Sequence, residues 1–322
     1  MIGKPDRTTD SPDRTTHGPN RTTDAPDRTA GPRGEFGVAS MVAPLRRVAM
    51  RRPGRATYEA DPVVWHYAGP LDAGRMKRQY DRFAACVSDS GALIEWIPQR
   101  DDGLADSVFV FDPSFMTPRG AILLRPGKSL RRPEVALHEA LHQRLDVPII
   151  GSIEPPGIAE GGDLLWLDDN TLAAGRTFRT NQAGIDQLRD LLSPLGVHVH
   201  GFDLPVWKGS TACLHLLSVV SPLDRDLALV YPRLLPVALL DLMRTLGIRF
   251  LEAGDDEFDA SGGMSLNVLA TAPRRCIAVD GFPKTLRLMR DAGCEVTCFD
   301  ADALCIPCEG GPTCMTLPIW RG

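Results

Sequence analysis

The sequence predicts an α/β fold of five repeated units, each of strands plus one helix, arranged radially about a central cavity. Three observations predict it. Helical and short apolar strand-like stretches alternate from Val42 to the C-terminal residues. The helix starts, near 76, 133, 181, 236 and 283, recur at roughly 50 residues, a period that marks repeated supersecondary units. The composition, 43% hydrophobic and 24% charged over 322 residues, suffices for a sizeable core.

Residues 1–40 come first as a low-complexity tail. Pro5-Asp6-Arg7-Thr8-Thr9 returns in Pro12–Thr16, Pro19–Thr23 and Pro26–Thr29 without an apolar residue, so nothing drives burial and disorder is expected. Residues 41–322 form one domain. Met76, Tyr80, Phe83 and Ala84 mark a helix over 76–87, followed by a strand at 92–97. A strand is expected at 108–111 and another at 121–124. Leu137, Leu141 and Leu145 share one face of a helix over 133–145, with 147–150 as the next strand. Strand 164–167 precedes a helix capped by Asn181 that runs to Leu192, then strand 197–200. Strand 227–230, a helix opened by Pro236 and strand 248–251 form the fourth unit. Strand 275–279, helix 284–291 and strand 295–299 form the fifth, before a glycine-rich turn and a last apolar run.

A net charge of −5 with no long basic run gives no footprint for nucleic acid or an anionic membrane surface. No apolar run reaches the ~18 residues of a spanning helix, and the first residues carry no signal-peptide pattern. The eight cysteines read as free thiols in a reducing cytoplasm. A homo-oligomer is compatible with this sequence.

Several stretches carry candidate chemistry. His138-Glu139-Ala140-Leu141-His142 matches the zinc-peptidase helix, with Glu160 as a conceivable third ligand, but its histidines flank the apolar stripe as solvated rim residues would. Cys294, Cys298, Cys305 and Cys308 have spacings that a four-thiolate zinc site uses, without knuckle glycines or aromatics. Glu160-Gly161-Gly162-Asp163 sets two carboxylates around a glycine pair. His215 is a lone polar residue in an apolar run, and Asp106 and Asp112 bracket another. In Glu309-Gly310-Gly311-Pro312-Thr313-Cys314, glycines let backbone approach a ligand and present a thiol, whose thiolate is a strong nucleophile given a base nearby.

Taken in order, D-x-V-F-V-x-D, L-L-R-P-G with R-R-x-E, E-G-G-D, G-R-x-x-R-T-N, L-H-L and G-G-x-x-C-M resemble the dimethylargininases. These are guanidine-modifying enzymes of the pentein superfamily, akin to arginine deiminases and amidinotransferases. The resemblance runs from Ala43 to Arg321 and implies a five-bladed, pseudo-symmetric α/β propeller. It implies Cys314 as nucleophile, His215 as general acid/base and Glu160 as the carboxylate that orients and charges it. Asp112 would grip the guanidinium, and Asp106, Arg125 and Arg179 would hold the amino-acid end. The implied reaction is hydrolysis of an N-methylated arginine to citrulline and an alkylamine, with no metal or cofactor required. The partner is thus a small molecule, an arginine derivative. Phe111 stands where some relatives carry a second acid, and Leu217 where deiminases and amidinotransferases have aspartate. Both changes favour a less polar guanidine. The alternatives are an arginine deiminase or amidinotransferase on the same fold, a zinc peptidase on His138 and His142, and a non-catalytic binding protein.

Overall fold

The computed structural model describes residues 35–99, 103–209 and 214–322. It contains five three-stranded sheets. In four, a hairpin leads through a helix to a third strand, parallel to the second. These are Ser114–Thr117, Gly120–Leu123 and Ile149–Ser152; Leu164–Asp168, Thr171–Arg176 and His198–Asp203; Val220–Asp224, Leu227–Val230 and Arg249–Glu252; and Leu269–Ala272, Arg275–Val279 and Glu295–Phe299. The fifth sheet joins both ends of the domain. Its middle strand Leu45–Met50 runs antiparallel to Leu317–Arg321 and parallel to Leu93–Trp96, so the C-terminal strand closes the ring. The five expected units are therefore present.

The helices are where apolar periodicity placed them. Ala73–Asp89 buries Met76, Tyr80 and Phe83, and Phe83 packs on Phe299 with ring centroids 4.9 Å apart. Asp72 caps this helix by accepting Arg75 N–H at 2.9 Å. Asn181 caps Gln182–Leu192 through Gly184 N–H at 2.8 Å. The same Asn181 Oδ1 accepts Ile158 N–H at 3.0 Å, which ties the helix to the loop entering Glu160. Val237–Thr245 and Pro283–Asp291 lie in the fourth and fifth units. Among the described residues, no helix is long and apolar enough to cross a membrane.

Four expectations need correction. The strand expected at 108–111 is a 3-10 turn, Ala105–Val108, followed by bends. Its apolar run looked strand-like because Val108, Phe109, Val110 and Phe111 are all buried. They are shared among three separate core clusters and have no partner strand. Arg131 satisfies the turn, donating from Nη2 to Phe109 O at 2.8 Å.

The helix expected over 133–145 is two pieces, a 3-10 segment Ser129–Glu134 and the α-helix Val135–Arg144. Its histidines are not on the rim. His138 and His142 are 2% and 0% exposed, and Ser114 Oγ bridges His138 Nδ1 and His142 Nε2 at 2.9 Å each. Ser114 lies on the neighbouring hairpin, and that contact is invisible to a helix-face count.

The tail boundary at 40 is also too late. Gly37 N–H donates to Ile319 O at 2.9 Å, Arg321 N–H donates back to Gly37 O at 3.1 Å, and Val38 is buried. Residues 35–40 therefore belong to the packed chain, whereas the repeat itself lies outside the described residues.

Phe111 and Leu217, expected at the guanidine pocket, share an apolar cluster and line a separate small cavity.

Candidate active site

Each candidate side chain sits on a loop that leads into or out of a sheet. Glu160 follows the backbone bridge Arg125–Ala159 and is fully buried. His215 is the residue before the 3-10 turn Leu216–Ser218. Its Nε2 is 2.8 Å from Glu160 Oε2. Arg179 Nη1 reaches the same carboxylate at 3.3 and 3.4 Å, and Lys128 N–H donates to it at 3.3 Å. The hydrogen bond from His215 and the charge of Arg179 outweigh burial and hold Glu160 far below the usual carboxylate range, so it is ionised.

The glycines of this loop are required by close approach. A Cβ on Gly162 would lie 2.3 Å from His215 Nδ1, and one on Gly161 would lie 2.1 Å from Phe111 O. Asp163 turns away from the cavity. It accepts Leu216 N–H at 3.0 Å and Thr177 Oγ1–H at 2.7 Å, which fixes the backbone next to His215. Burial pushes its carboxyl up to about 6.

Cys314 is held by Asn267, a residue the sequence reading did not single out. Asn267 Nδ2 donates to Cys314 Sγ at 3.2 Å while Oδ1 accepts Thr313 N–H at 2.9 Å. A Cβ on Gly311 would meet Asn267 at 2.5 Å, so this clamp needs glycine there. Burial, then the Asp112 charge, push the Cys314 thiol up; the Gly311 backbone, His215 and Asn267 oppose them. The resting sulfur is thus a thiol that an arriving cation would help to ionise.

Cys314, His215, Arg179, Asp112 and Asp106 line one cavity of about 50 Å³ together with Lys128, Arg131, Trp65, His66 and Glu309. That is far below the ~300 Å³ of an ordinary ligand pocket. Asp112 Oδ1 accepts Gly162 N–H at 2.9 Å and Oδ2 pairs with Arg131 Nη1 at 2.5 Å, which leaves lone pairs on both oxygens. Asp106 accepts Tyr67 O–H at 2.7 Å and pairs with Lys128 Nζ at 2.5 Å.

Arg125 is not brought to this wall. Its Nη1 donates to Gly157 O at 3.1 Å, and its role is to brace the loop before Glu160. Lys128 and Arg131 are, with Arg179, the lysine and arginine side chains that line the cavity. Arg131 lay within the quoted R-R-x-E signal, whereas Lys128 carried none.

Asp112, Glu160 and His215 offer ligand atoms within 4.8 Å of one another, the one such set of three found among the described residues. Arg131 pairs with Asp112 and Arg179 with Glu160, and Arg131 is shared with Glu134, so lone pairs remain on both carboxylates for further donors. The zinc readings find no support in the geometry. Glu160 joins His215, not His138 and His142, and the four cysteines form no such set. A larger cavity of about 440 Å³, beside Trp166 and Met243, is lined by no cysteine or histidine.

Known proteins resemble this chain in sequence and in fold. The arginine deiminase family model matches residues 102–246. An N(G),N(G)-dimethylarginine dimethylaminohydrolase of Streptomyces coelicolor is 30% identical over 285 residues, which cover 85% of this chain and 97% of the relative. The solved structure of a dimethylarginine dimethylaminohydrolase from Pseudomonas aeruginosa, complexed with citrulline, superposes with a TM-score of 0.70. It is 23% identical, over 85% of this chain and 99% of the other. An amidinotransferase from Microseira wollei, of a saxitoxin pathway, has the same fold with a TM-score of 0.71 at 14% identity, over 89% and 97%. With a relative of that identity matched over nearly its whole length, and the fold shared besides, the chain belongs to the dimethylarginine dimethylaminohydrolase family.

Proposed function

We propose that this protein hydrolyses the guanidine of an N-methylated arginine, releasing citrulline and an alkylamine. The observation that carries the reading is a thiol, an imidazole backed by a buried ionised carboxylate, and two further acids around one small cavity.

Asp112 and Glu160 together supply the negative field that a planar, permanently cationic guanidinium needs. The α-carboxylate end finds Lys128 and Arg179, and the α-ammonium finds Asp106. The guanidinium charge beside Cys314 favours ionisation of the thiol, whose proton passes to His215. The sulfur then bonds to the guanidine carbon, and His215 returns the proton to the departing alkylamine as the C–N bond breaks. A thiouronium remains on Cys314. His215 next takes a proton from water, and the oxygen bonds to the same carbon. The C–S bond breaks as the new hydroxyl gives its proton to the sulfur, freeing citrulline and the Cys314 thiol; the imidazolium then loses its proton to solvent. Glu160 stabilises the imidazolium at each of these steps through its 2.8 Å contact.

A second reading, deimination of arginine itself, is favoured by the family-model match over residues 102–246. One experiment separates the two: citrulline release from arginine, monomethylarginine and dimethylarginine, with dimethylamine and ammonia measured as co-products. A preference of about tenfold or more for a methylated substrate is expected, equivalent to ~1.4 kcal/mol. Ammonia from arginine at equal or better kcat/KM would establish the deiminase. Cys314→Ser should fold as the wild type and release no citrulline, because a hydroxyl is far less ionised than a thiol in that position.

A further inference from the structure

The last strand carries a buried cation without a countercharge. Arg321 is 8% exposed, and its Nη1 and Nη2 donate to Ala43 O at 2.7 Å and Ala270 O at 2.9 Å. Its Nε–H is buried with no partner. Among the described residues Arg321 makes no ion pair, unlike the buried Arg47 and Arg131, which face Glu95 and both Asp112 and Glu134. Burial alone pulls its pKa down to about 9, with no carboxylate to lift it. A buried, uncompensated charge is costly, and two neutral carbonyls offset only part of that cost.

Arg321 borders a cavity of about 10 Å³, walled by Phe111, Leu217, Ser221, Thr313 and Thr316. That is room for one water-sized particle. The hydroxyl protons are already committed: Thr313 Oγ1 donates to Val268 O at 3.0 Å, Thr316 Oγ1 to Pro312 O at 3.0 Å, and Ser221 Oγ to Leu266 O. Among the residues that line this cavity, Arg321 is the one with a buried side-chain donor left without a partner, and the remaining surface is mostly apolar. A polyatomic oxyanion would need more donors and more room.

We infer that Arg321 and this cavity form a binding site for a single monoatomic anion of the chloride class, separate from the catalytic cavity. The anion would complete the electrostatics of the closing strand. The test is thermal unfolding at constant ionic strength as gluconate is replaced by chloride. Binding to the folded state alone gives a saturable rise in Tm of about 2 °C or more in the wild type. Arg321→Met should show no such rise. Crystals of the wild-type protein in bromide should show an anomalous peak within hydrogen-bond distance of Nε, a readout that stands if the variant fails to fold. A flat Tm in the wild type, an equal rise in Arg321→Met, or a water and no bromide at Nε would each overturn the inference.

Discussion

Replacing His142 by leucine should make the protein less stable at pH 7.5 and more stable than the wild type near pH 5. At neutral pH the change removes one hydrogen bond to Ser114 Oγ, which keeps His138 as a partner. That loss costs about 1–2 kcal/mol. The opposing effect grows with acid. Burial lowers the His142 pKa to about 4, against an unfolded value of 6.5.

Between those values the unfolded chain binds a proton that the folded chain refuses, so wild-type stability falls as pH falls. The slope approaches about 1.4 kcal/mol per pH unit and the accumulated loss is about 2 kcal/mol at pH 5. The leucine variant lacks this loss, so the two stability curves cross between pH 6 and pH 5. Asp163 titrates in the same window with the opposite sign, since its raised folded pKa adds stability as pH falls. It does so in both proteins and cancels in the difference. Urea midpoints at pH 7.5, 6 and 5 measure that difference if the m-values match. A gap that stays constant or widens in acid would show that His142 is protonated in the fold, and would refute the argument.

Asn267→Ala should leave Thr313 N–H without its acceptor, at about 1–3 kcal/mol, and shift the pH profile of Cys314 alkylation by iodoacetamide upward. Asn267→Asp retains the acceptor and adds a negative charge at the sulfur, so its alkylation profile should move further up while its stability loss is smaller. Removing residues 1–34 should leave Tm unchanged if the repeat stays outside the core, whereas removing 1–40 should lower it, because Gly37 and Val38 pack on the closing strand. Leu217→Asp should not improve arginine turnover, because Leu217 faces the apolar cluster with Phe111. It should instead lower stability by about 2 kcal/mol or more, read from the urea midpoint.

The parts of the fold set by short-range pattern were legible from the residues. Helix 284–291 and strand 295–299 differ from Pro283–Asp291 and Glu295–Phe299 by at most a residue, because a 3.6-residue apolar period and a β-branched run are local signals. The Asn181 cap was equally local. The hairpin strands Val220–Asp224 and Leu269–Ala272 were missed because serine, proline and threonine interrupt their apolar pattern. The burial of His138 and His142 depends on Ser114, 24 and 28 residues away, and no periodicity reports such a partner. Asn267 was illegible for the same reason: its partner Cys314 is 47 residues on.

The site motifs carry a regularity that single residues hide. Asp112 faces the catalytic cavity while its neighbour Phe111 lines the second one. His215 and Leu217 divide the same way, as do Cys314 and Thr313. Three loops thus each present one reactive group to the catalytic cavity and one packing group to the second. This explains why Phe111 and Leu217 could be read as pocket residues from their sequence neighbours, and why that reading fails in space. Their effect on substrate choice must then be indirect. The apolar cluster that holds Phe111 and Leu217 anchors the two loops from which Asp112 and His215 project, without offering any group to the guanidine. Preference for a methylated guanidine would have to arise on the cavity's own wall, where Phe109 is the apolar surface nearest the turn that carries Cys314: a Cβ on Gly310 would lie 2.2 Å from its ring.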